Sequence, residues 1–155
     1  MRARWEDIKA QERTAREETR TLLGGIPAAL PALLGAYQIG LRAASVGFDW
    51  SGAGEVVDKI REEVNELGDV VGAGQPVDQA RAEEEMGDLL FAIANLSRTL
   101  GIEPETALRK ANHKFTKRFT TMEHAIADSG RTMREMSLDE LEQQWQHAKS
   151  QQPAG

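Results

Sequence analysis

Apolar residues recur at intervals of three and four along most of this chain. Such spacing places them on one side of an α-helix, since a helical turn takes about 3.6 residues. The pattern predicts helices from about residue 31, over 54–71, over 77–100, over 104–128, and after Ser137, which forms a capping box with Glu140. No segment alternates apolar and polar residues as a half-buried strand would. The sequence therefore predicts an all-α fold, a bundle of about five helices.

Each predicted helix has an apolar stripe that we expect to face the core. The stripes are Leu30, Leu34, Tyr37, Leu41 and Ala44; Val57, Ile60, Val64, Leu67 and Val71; Met86, Leu89, Ile93, Leu96 and Leu100; Leu108, Ala111, Phe115, Phe119, Met122 and Ile126; and Leu138, Leu141 and Trp145. Residues 72–76 read Gly-Ala-Gly-Gln-Pro, which predicts a turn. So short a connection favours an antiparallel hairpin of the second and third helices.

The first part of the chain differs in composition from the rest. Residues 2–21 are almost entirely charged or polar, with Trp5 and Ile8 as the large apolar exceptions, and Gly24, Gly25 and Pro27 then interrupt any helix. We expect a connector-like helical lead-in over 1–25, one domain over 26–150 and a disordered tail over 151–155.

Acidic residues cluster on both arms of the predicted hairpin. Glu63 and Glu66 share one helix face at i,i+3 spacing, and Glu85 and Asp88 do the same on the next helix. Like charges so placed destabilise a helix by a few tenths of a kcal/mol per pair. Two such faces in one small chain suggest a shared cation. Oxygen ligands point to Mg²⁺, with Mn²⁺ as a possible substitute.

Composition narrows the function classes further. The 155 residues carry a net charge of -6, so the chain lacks the basic footprint of a nucleic-acid-binding protein. The absence of cysteine excludes a disulfide scaffold and a zinc–thiolate site. The chain has neither an apolar run long enough to span a membrane nor a signal-peptide pattern at its start. We therefore expect a cytoplasmic protein without nucleic-acid or membrane partners.

Five motifs in order resemble one known family. They are Val46-Gly-Phe-Asp-Trp50, Glu62-Glu-x-x-Glu66, Glu85-x-x-Asp88-Leu-Leu-Phe, Lys110-Ala-Asn-x-Lys-Phe-x-x-Arg-Phe119 and Trp145-x-x-x-Lys149. In this set the chain is similar to the MazG-type nucleoside triphosphate pyrophosphohydrolases. It resembles the second copy of the domain in long two-domain members, with its preceding connector. The resemblance implies a helical, Mg²⁺-dependent enzyme that forms homodimers.

The resemblance also implies roles for individual acidic residues. Glu63, Glu66, Glu85 and Asp88 match the positions with which the family holds metal. A carboxylate near the metal would take a proton from water, and Glu62 and Glu63 are the two candidates for that catalytic role. Glu62 lies one position away from the stripe of Glu63 and Glu66, so a solvated or water-orienting role remains an alternative for it.

Basic, amide and aromatic residues are candidates for binding the nucleotide. Lys114 and Arg118 lie four residues apart and suit a triphosphate. Lys59 is either a further phosphate contact or an i,i+4 partner of Glu63. The remaining candidates are Lys149 for phosphate, Asn95 and Asn112 for sugar or phosphate, and Trp50 and Trp145 for stacking on a base. Phe48 is expected in the core.

The reaction implied is attack of water on the α-phosphorus of a ribo- or deoxynucleoside triphosphate. The products would be nucleoside monophosphate and pyrophosphate, an activity that suits removal of unwanted nucleotides. Alternatives are a dimerisation or regulatory module that binds nucleotide without turnover, a narrower dUTP, dCTP or phosphoribosyl-ATP pyrophosphohydrolase, and a plain helical interaction domain.

Overall fold

The structure is a computed structural model that describes residues 21–72 and 76–151. Helix α1 spans Ala32–Ala44, α2 Ala53–Gly72, α3 Gln79–Thr99, α4 Pro104–Asp128 and α5 Leu138–Gln151, with a 3-10 turn at Met133–Glu135. Among the described residues there is no strand. The prediction of an all-α fold with about five helices is confirmed. Residues 1–20, 73–75 and 152–155 lie outside the described part, so most of the predicted lead-in and of the tail stays a prediction.

The chain divides into two compact units, one ending at Glu105 and the other beginning at Thr106. In the first unit, α3 packs against both α1 and α2. Small buried residues allow this approach, because Ala92 and Ala94 of α3 and Gly40 of α1 present little or no side chain. On α2, the side chain of Val56 is almost fully buried. In the first unit, α3 is therefore the helix that packs closely against the other two.

The core of the second unit joins α4, the 3-10 turn and α5. Met122, Ile126 and Ala148 are buried there, and five partly buried residues pack around them, namely Phe119, Met133, Met136, Leu141 and Trp145. The ring of Phe115 lies 5.0 Å from that of Trp145. The inward orientation expected for Trp145 is thus confirmed.

Local capping fixes where the last helix begins. The Ser137 amide donates to Glu140 Oε2 at 2.8 Å, and the Glu140 amide donates to Ser137 Oγ at 3.3 Å. The predicted capping box is confirmed. A second box between Thr132 and Glu135 closes the 3-10 turn, which the apolar pattern did not predict because three residues are too few to show a period.

Several residues expected in the core are exposed instead. Two fifths or more of the surface is exposed in Leu41, Val64, Val71, Met86, Ile93, Leu100, Leu108, Phe115 and Leu138, and 82% is exposed in Phe48. The apolar stripes are wider than the contact surface that neighbouring helices of one chain supply. The helical pattern was right, whereas the expected burial of these residues, including Phe48, was wrong.

Among the described helices, none combines the length with the apolar composition needed to cross a bilayer.

The cap of α5 makes a pH-dependent contribution to stability. Arg131 donates a hydrogen bond to Glu140 at 2.8 Å, and this bond is the largest cause that lowers the Glu140 pKa. The hydrogen bonds from Ser137 lower it further, so the pKa falls from 4.5 to about 2. A lowered pKa stabilises the fold above the unfolded value, and this stabilisation is lost as the pH falls from 4.5 toward 2. We expect Glu140→Gln to unfold at lower urea concentration than the parent at pH 7.

The gap between parent and Glu140→Gln should shrink as urea unfolding is repeated at pH values below 4.5. Asp139→Asn is the matched control, because Asp139 lies in the same helical turn without an ion pair to any described residue. A gap that stays constant with pH would show that Glu140 does not act through its charge.

Candidate metal centre

Three carboxylates from two helices meet at one point in the first unit. Glu63 and Glu66 lie one turn apart on α2, and Glu85 belongs to α3, which packs against α2. One ligand oxygen from each lies within 4.8 Å of the others. This separation suits oxygens that share a single cation. The prediction that the hairpin brings acids of both arms together is confirmed for these three residues.

Glu63 is the most buried of the three, with 4% of its surface exposed. Its Oε1 accepts from Lys59 Nζ at 2.7 Å. Its Oε2 is buried and has no hydrogen-bond partner among the described residues. A buried polar atom left without a partner costs about 1–3 kcal/mol, and a charged one costs more. This cost exceeds the few tenths of a kcal/mol of helical charge repulsion, so the buried oxygen is the stronger sign of a ligand.

The electrostatics of the cluster favour a positive partner. Partial burial, followed by the neighbouring charges of Glu63 and Glu85, raises the pKa of Glu66 above its ordinary value. Lys59 lies beside negative charges, and its hydrogen bonds to Glu62 and, next in size, to Glu63 raise the pKa of its ammonium group. Lys59 therefore stays charged and offsets part of the negative charge. Among the described residues, the cation paired with the Glu85 carboxylate is Arg81, at a long distance of 3.6 Å.

A cavity of about 330 Å³ opens beside Glu63 and brings together four more predicted residues. Its lining includes Asp88, Lys59, Asn95 and Trp50. Asp88 lines this cavity one helical turn after Glu85, yet it is not one of the three carboxylates that meet. The cavity therefore places a carboxylate, an ammonium group, an amide and an indole next to the buried Glu63.

Glu62 lies beside the cluster rather than within it. Its side chain is 57% exposed, and it accepts from Lys59 at 2.8 Å. It lines a separate shallow depression with Trp50, Lys59 and Asp58. Glu62 and Glu63, the two candidate proton acceptors, thus bind the same lysine.

The structure adds two residues that the sequence analysis did not single out as functional, Arg98 and Gly40. The Arg98 guanidinium binds both oxygens of Asp49 and also donates to Asn95 Oδ1 at 3.0 Å. Asp49 had appeared only as part of a family-like motif. Asn95 and Arg98 are three residues apart on α3, a spacing that could have suggested their contact. No sequence signal joins Arg98 to Asp49, which is 49 positions away.

The remaining predicted residues belong to the second unit. Asn112 and Lys114 are exposed on α4, and Arg118 is partly buried there. On α5, Lys149 is exposed while Trp145 packs with Phe115. The roles of these five residues in binding a nucleotide stay predictions.

Comparison with known proteins covers the part of the chain that carries these residues. Residues 52–122, which include all three clustered carboxylates, match the MazG nucleotide pyrophosphohydrolase domain. The chain is 49% identical over 151 residues to the nucleoside triphosphate pyrophosphohydrolase of Escherichia coli (strain K12), covering 97% of this chain and 56% of that protein.

Two further relatives come from other bacteria. The nucleoside triphosphate pyrophosphohydrolase/pyrophosphatase MazG of Thermotoga maritima is 44% identical over 145 residues, which are 94% of this chain and 54% of that protein. The uncharacterized protein YabN of Bacillus subtilis (strain 168) is 37% identical over 147 residues, 95% of this chain and 29% of that protein. The chain thus spans about half the length, or less, of these relatives. The all-helical fold, the matched domain and these identities show that the chain belongs to the MazG family.

Proposed function

We propose that this chain hydrolyses nucleoside triphosphates to nucleoside monophosphate and pyrophosphate with the help of Mg²⁺. The observation that supports this most is the buried Oε2 of Glu63, which has no hydrogen-bond partner in the described part of the chain and lies among three converging carboxylates. The printed names of the Escherichia coli and Thermotoga maritima relatives state the same activity for those proteins. Ribo- and deoxynucleotides are both candidate substrates.

Glu63, Glu66 and Glu85 would hold the metal, and Asp88, which lines the cavity beside Glu63, is the fourth candidate ligand. All four supply carboxylate oxygens, which Mg²⁺ prefers and Mn²⁺ tolerates. When bound, the metal would neutralise phosphate charge and lower the pKa of a coordinated water. Lys59 adds a fixed positive charge at the same edge of the cavity.

In the proposed reaction the oxygen of water bonds to the α-phosphorus and the bond to the pyrophosphate oxygen breaks. The water proton passes to Glu62 or Glu63, and pyrophosphate leaves with the bonding electrons. Such chemistry depends on positioning and charge neutralisation more than on covalent catalysis. The work of the chain's own residues is therefore to hold the phosphates and accept one proton.

The positively charged and aromatic residues would hold the rest of the nucleotide. Lys114 and Arg118, four residues apart on α4, are suited to the triphosphate, and Lys149 is a further candidate. Asn95 and Asn112 would donate hydrogen bonds to sugar or phosphate. Trp50 lines the cavity beside Glu63 and would stack on the base, as would Trp145.

We also propose that the chain works as a homodimer. Helices α2 and α3 leave Val64, Val71, Met86, Leu90 and Ile93 about half exposed. A contiguous helix pair with so much open apolar surface favours association, since a second copy can complete a bundle around it.

Product analysis tests the activity directly. Incubation with a panel of ribo- and deoxynucleoside triphosphates should give monophosphate and pyrophosphate with Mg²⁺, and nothing with EDTA. In water labelled with the heavy oxygen isotope, the label should enter the monophosphate, because the water oxygen bonds to the α-phosphorus. Label in the pyrophosphate would place the attack at the β-phosphorus. Diphosphate and phosphate as products would contradict the proposed reaction.

Glu63→Gln tests the metal centre. The amide keeps the shape and can still accept from Lys59, but it loses the charge that attracts a cation. We expect Mn²⁺ affinity, measured by electron paramagnetic resonance, to fall at least about tenfold, since even residues supporting metal ligands have effects of that size. Hydrolysis should fall with it.

The matched control for that substitution is Glu84→Gln, which removes one carboxylate from an exposed position next to Glu85 but outside the cluster. It should bind Mn²⁺ as the parent does. Equal Mn²⁺ affinities in the parent and Glu63→Gln would exclude Glu63 as a ligand.

Light scattering tests the dimer. The parent should have twice the 17.1 kDa mass of one chain. Ile93→Glu places a charge in the exposed apolar surface of α3 and should shift the mass toward 17.1 kDa. Ser150→Glu adds the same charge at an exposed polar position near the end of α5 and should leave the dimer intact. A monomeric parent would contradict the proposal.

A further inference from the structure

The Arg98 side chain lies outside the carboxylate cluster, yet it is among the best-anchored cations in the described part of the first unit. Only 8% of it is exposed. Nη1 donates to Asp49 Oδ2 at 3.1 Å, Nη2 donates to Asp49 Oδ1, and Nε donates to Asn95 Oδ1 at 3.0 Å. One guanidinium thus joins the turn after α1 to the C-terminal end of α3. The bidentate ion pair between Arg98 and Asp49 is directional as well as strong.

This contact determines which way the Asn95 amide faces. A guanidinium has donors only, so the amide must turn its oxygen toward Arg98. The amide nitrogen of Asn95 is then left to donate elsewhere. Asn95 lines the cavity that also contains Glu63 and Asp88. Arg98 therefore makes Asn95 a hydrogen-bond donor at a site otherwise rich in acceptors.

The contact of Arg98 with Asp49 also holds Trp50, an aromatic residue of the same cavity. Asp49 accepts from Arg98 and also accepts the Trp50 backbone amide through Oδ1 at 2.8 Å. The hydrogen bond from Arg98 is the largest cause that holds the Asp49 pKa below its usual range, so Asp49 stays charged at neutral pH. Trp50 lines both the cavity beside Glu63 and an adjoining one of about 490 Å³. The Asp49 contact thus fixes the backbone from which the indole extends.

Gly40 of α1 provides the space for this arrangement. A Cβ at Gly40 would lie 2.8 Å from Asn95 Oδ1 and 2.9 Å from Arg98 Nε, closer than real contacts allow. Gly35 on the same helix has open space where its Cβ would be. The absence of a side chain at Gly40 is therefore required by Asn95 and Arg98 and not by the helix itself.

We infer that Arg98 is a positioning residue for the nucleotide, which orients the Asn95 amide to donate to a sugar or phosphate oxygen and anchors the turn that supports Trp50. This inference rests on the proposed nucleotide hydrolysis at the neighbouring carboxylates. Arg98 itself would not touch the substrate. Its loss should weaken nucleotide binding while leaving the metal ligands in place, because the three carboxylates make no contact with Arg98.

Gly40→Ala is the first test, with Gly35→Ala as the matched control. The probe is the α,β-methylene analogue of the triphosphate that the parent hydrolyses fastest, titrated calorimetrically with Mg²⁺ present. We expect Gly40→Ala to raise the Kd of the analogue about five- to tenfold, the effect of losing roughly one hydrogen bond. Gly35→Ala should bind it as the parent does, and Mn²⁺ affinity without nucleotide should be equal in all three proteins.

Arg98→Lys is the second variant, for use if Gly40→Ala does not fold. Lysine keeps the charge but cannot bind Asp49 and Asn95 in the same fork, so the Kd of the analogue and the KM should rise while Mn²⁺ affinity stays constant. Asn95→Ala distinguishes positioning from general packing. In that background, Gly40→Ala should raise the Kd of the analogue little further, because the donor is already gone.

If the parent hydrolyses triphosphates but nucleotide affinity is unchanged in both Gly40→Ala and Arg98→Lys, the inference about Arg98 is wrong and the proposed function stands. Parallel losses of nucleotide and Mn²⁺ affinity would also overturn it, since they would indicate general disruption. A parent without Mg²⁺-dependent hydrolysis would instead overturn the proposed function, and the role of Arg98 with it.

Discussion

Burial of the Glu63 carboxylate is the constraint on which the first unit depends. Lys59 satisfies one of its oxygens, and the other has no partner among the described residues. Water normally solvates such an oxygen, and its removal costs more than any single surface contact restores. Glu66 and Glu85 add two further carboxylate oxygens within 4.8 Å instead of a compensating donor. The fold thus concentrates negative charge where it has reduced hydration, an arrangement that favours a bound cation.

Close packing of α3 makes this arrangement possible and joins it to a second polar network. Ala92 and Ala94 are buried in α3, and Gly40 is buried in α1. With so little side-chain volume between the helices, Asn95 and Arg98 come within contact of the α1 backbone. The same helix therefore contributes Glu85 to the carboxylates and, near its C-terminal end, the guanidinium that anchors Asp49. Because both Glu85 and Arg98 lie on α3, the distance between the carboxylate cluster and the Arg98 contacts is fixed by a rigid helix and not by a loop.

The exposed apolar surface belongs to the same physical picture. The helices that supply the converging acidic residues also carry apolar side chains that the described part of the chain leaves exposed. The sequence located the stripes along the helices correctly, whereas the burial expected for many of their residues was wrong. A surface of this kind is what a second copy would cover. In the second unit, Met122, Ile126 and Ala148 are buried, and partly buried residues of the same unit pack around them.

The sequence by itself determined the helices, most of their ends, the capping box at Ser137 and the helix faces shared by the acids, because these features depend on neighbours within a few positions. It also sufficed for the family, through five ordered motifs. Tertiary structure alone decided that Glu85 completes the three-carboxylate cluster while Asp88 lines the adjoining cavity. Those two acids are one turn apart, and the rotation of α3 against α2 selects between them. The pairing of Arg98 with Asp49 likewise needed the packed helices, since no local period relates residues 49 positions apart.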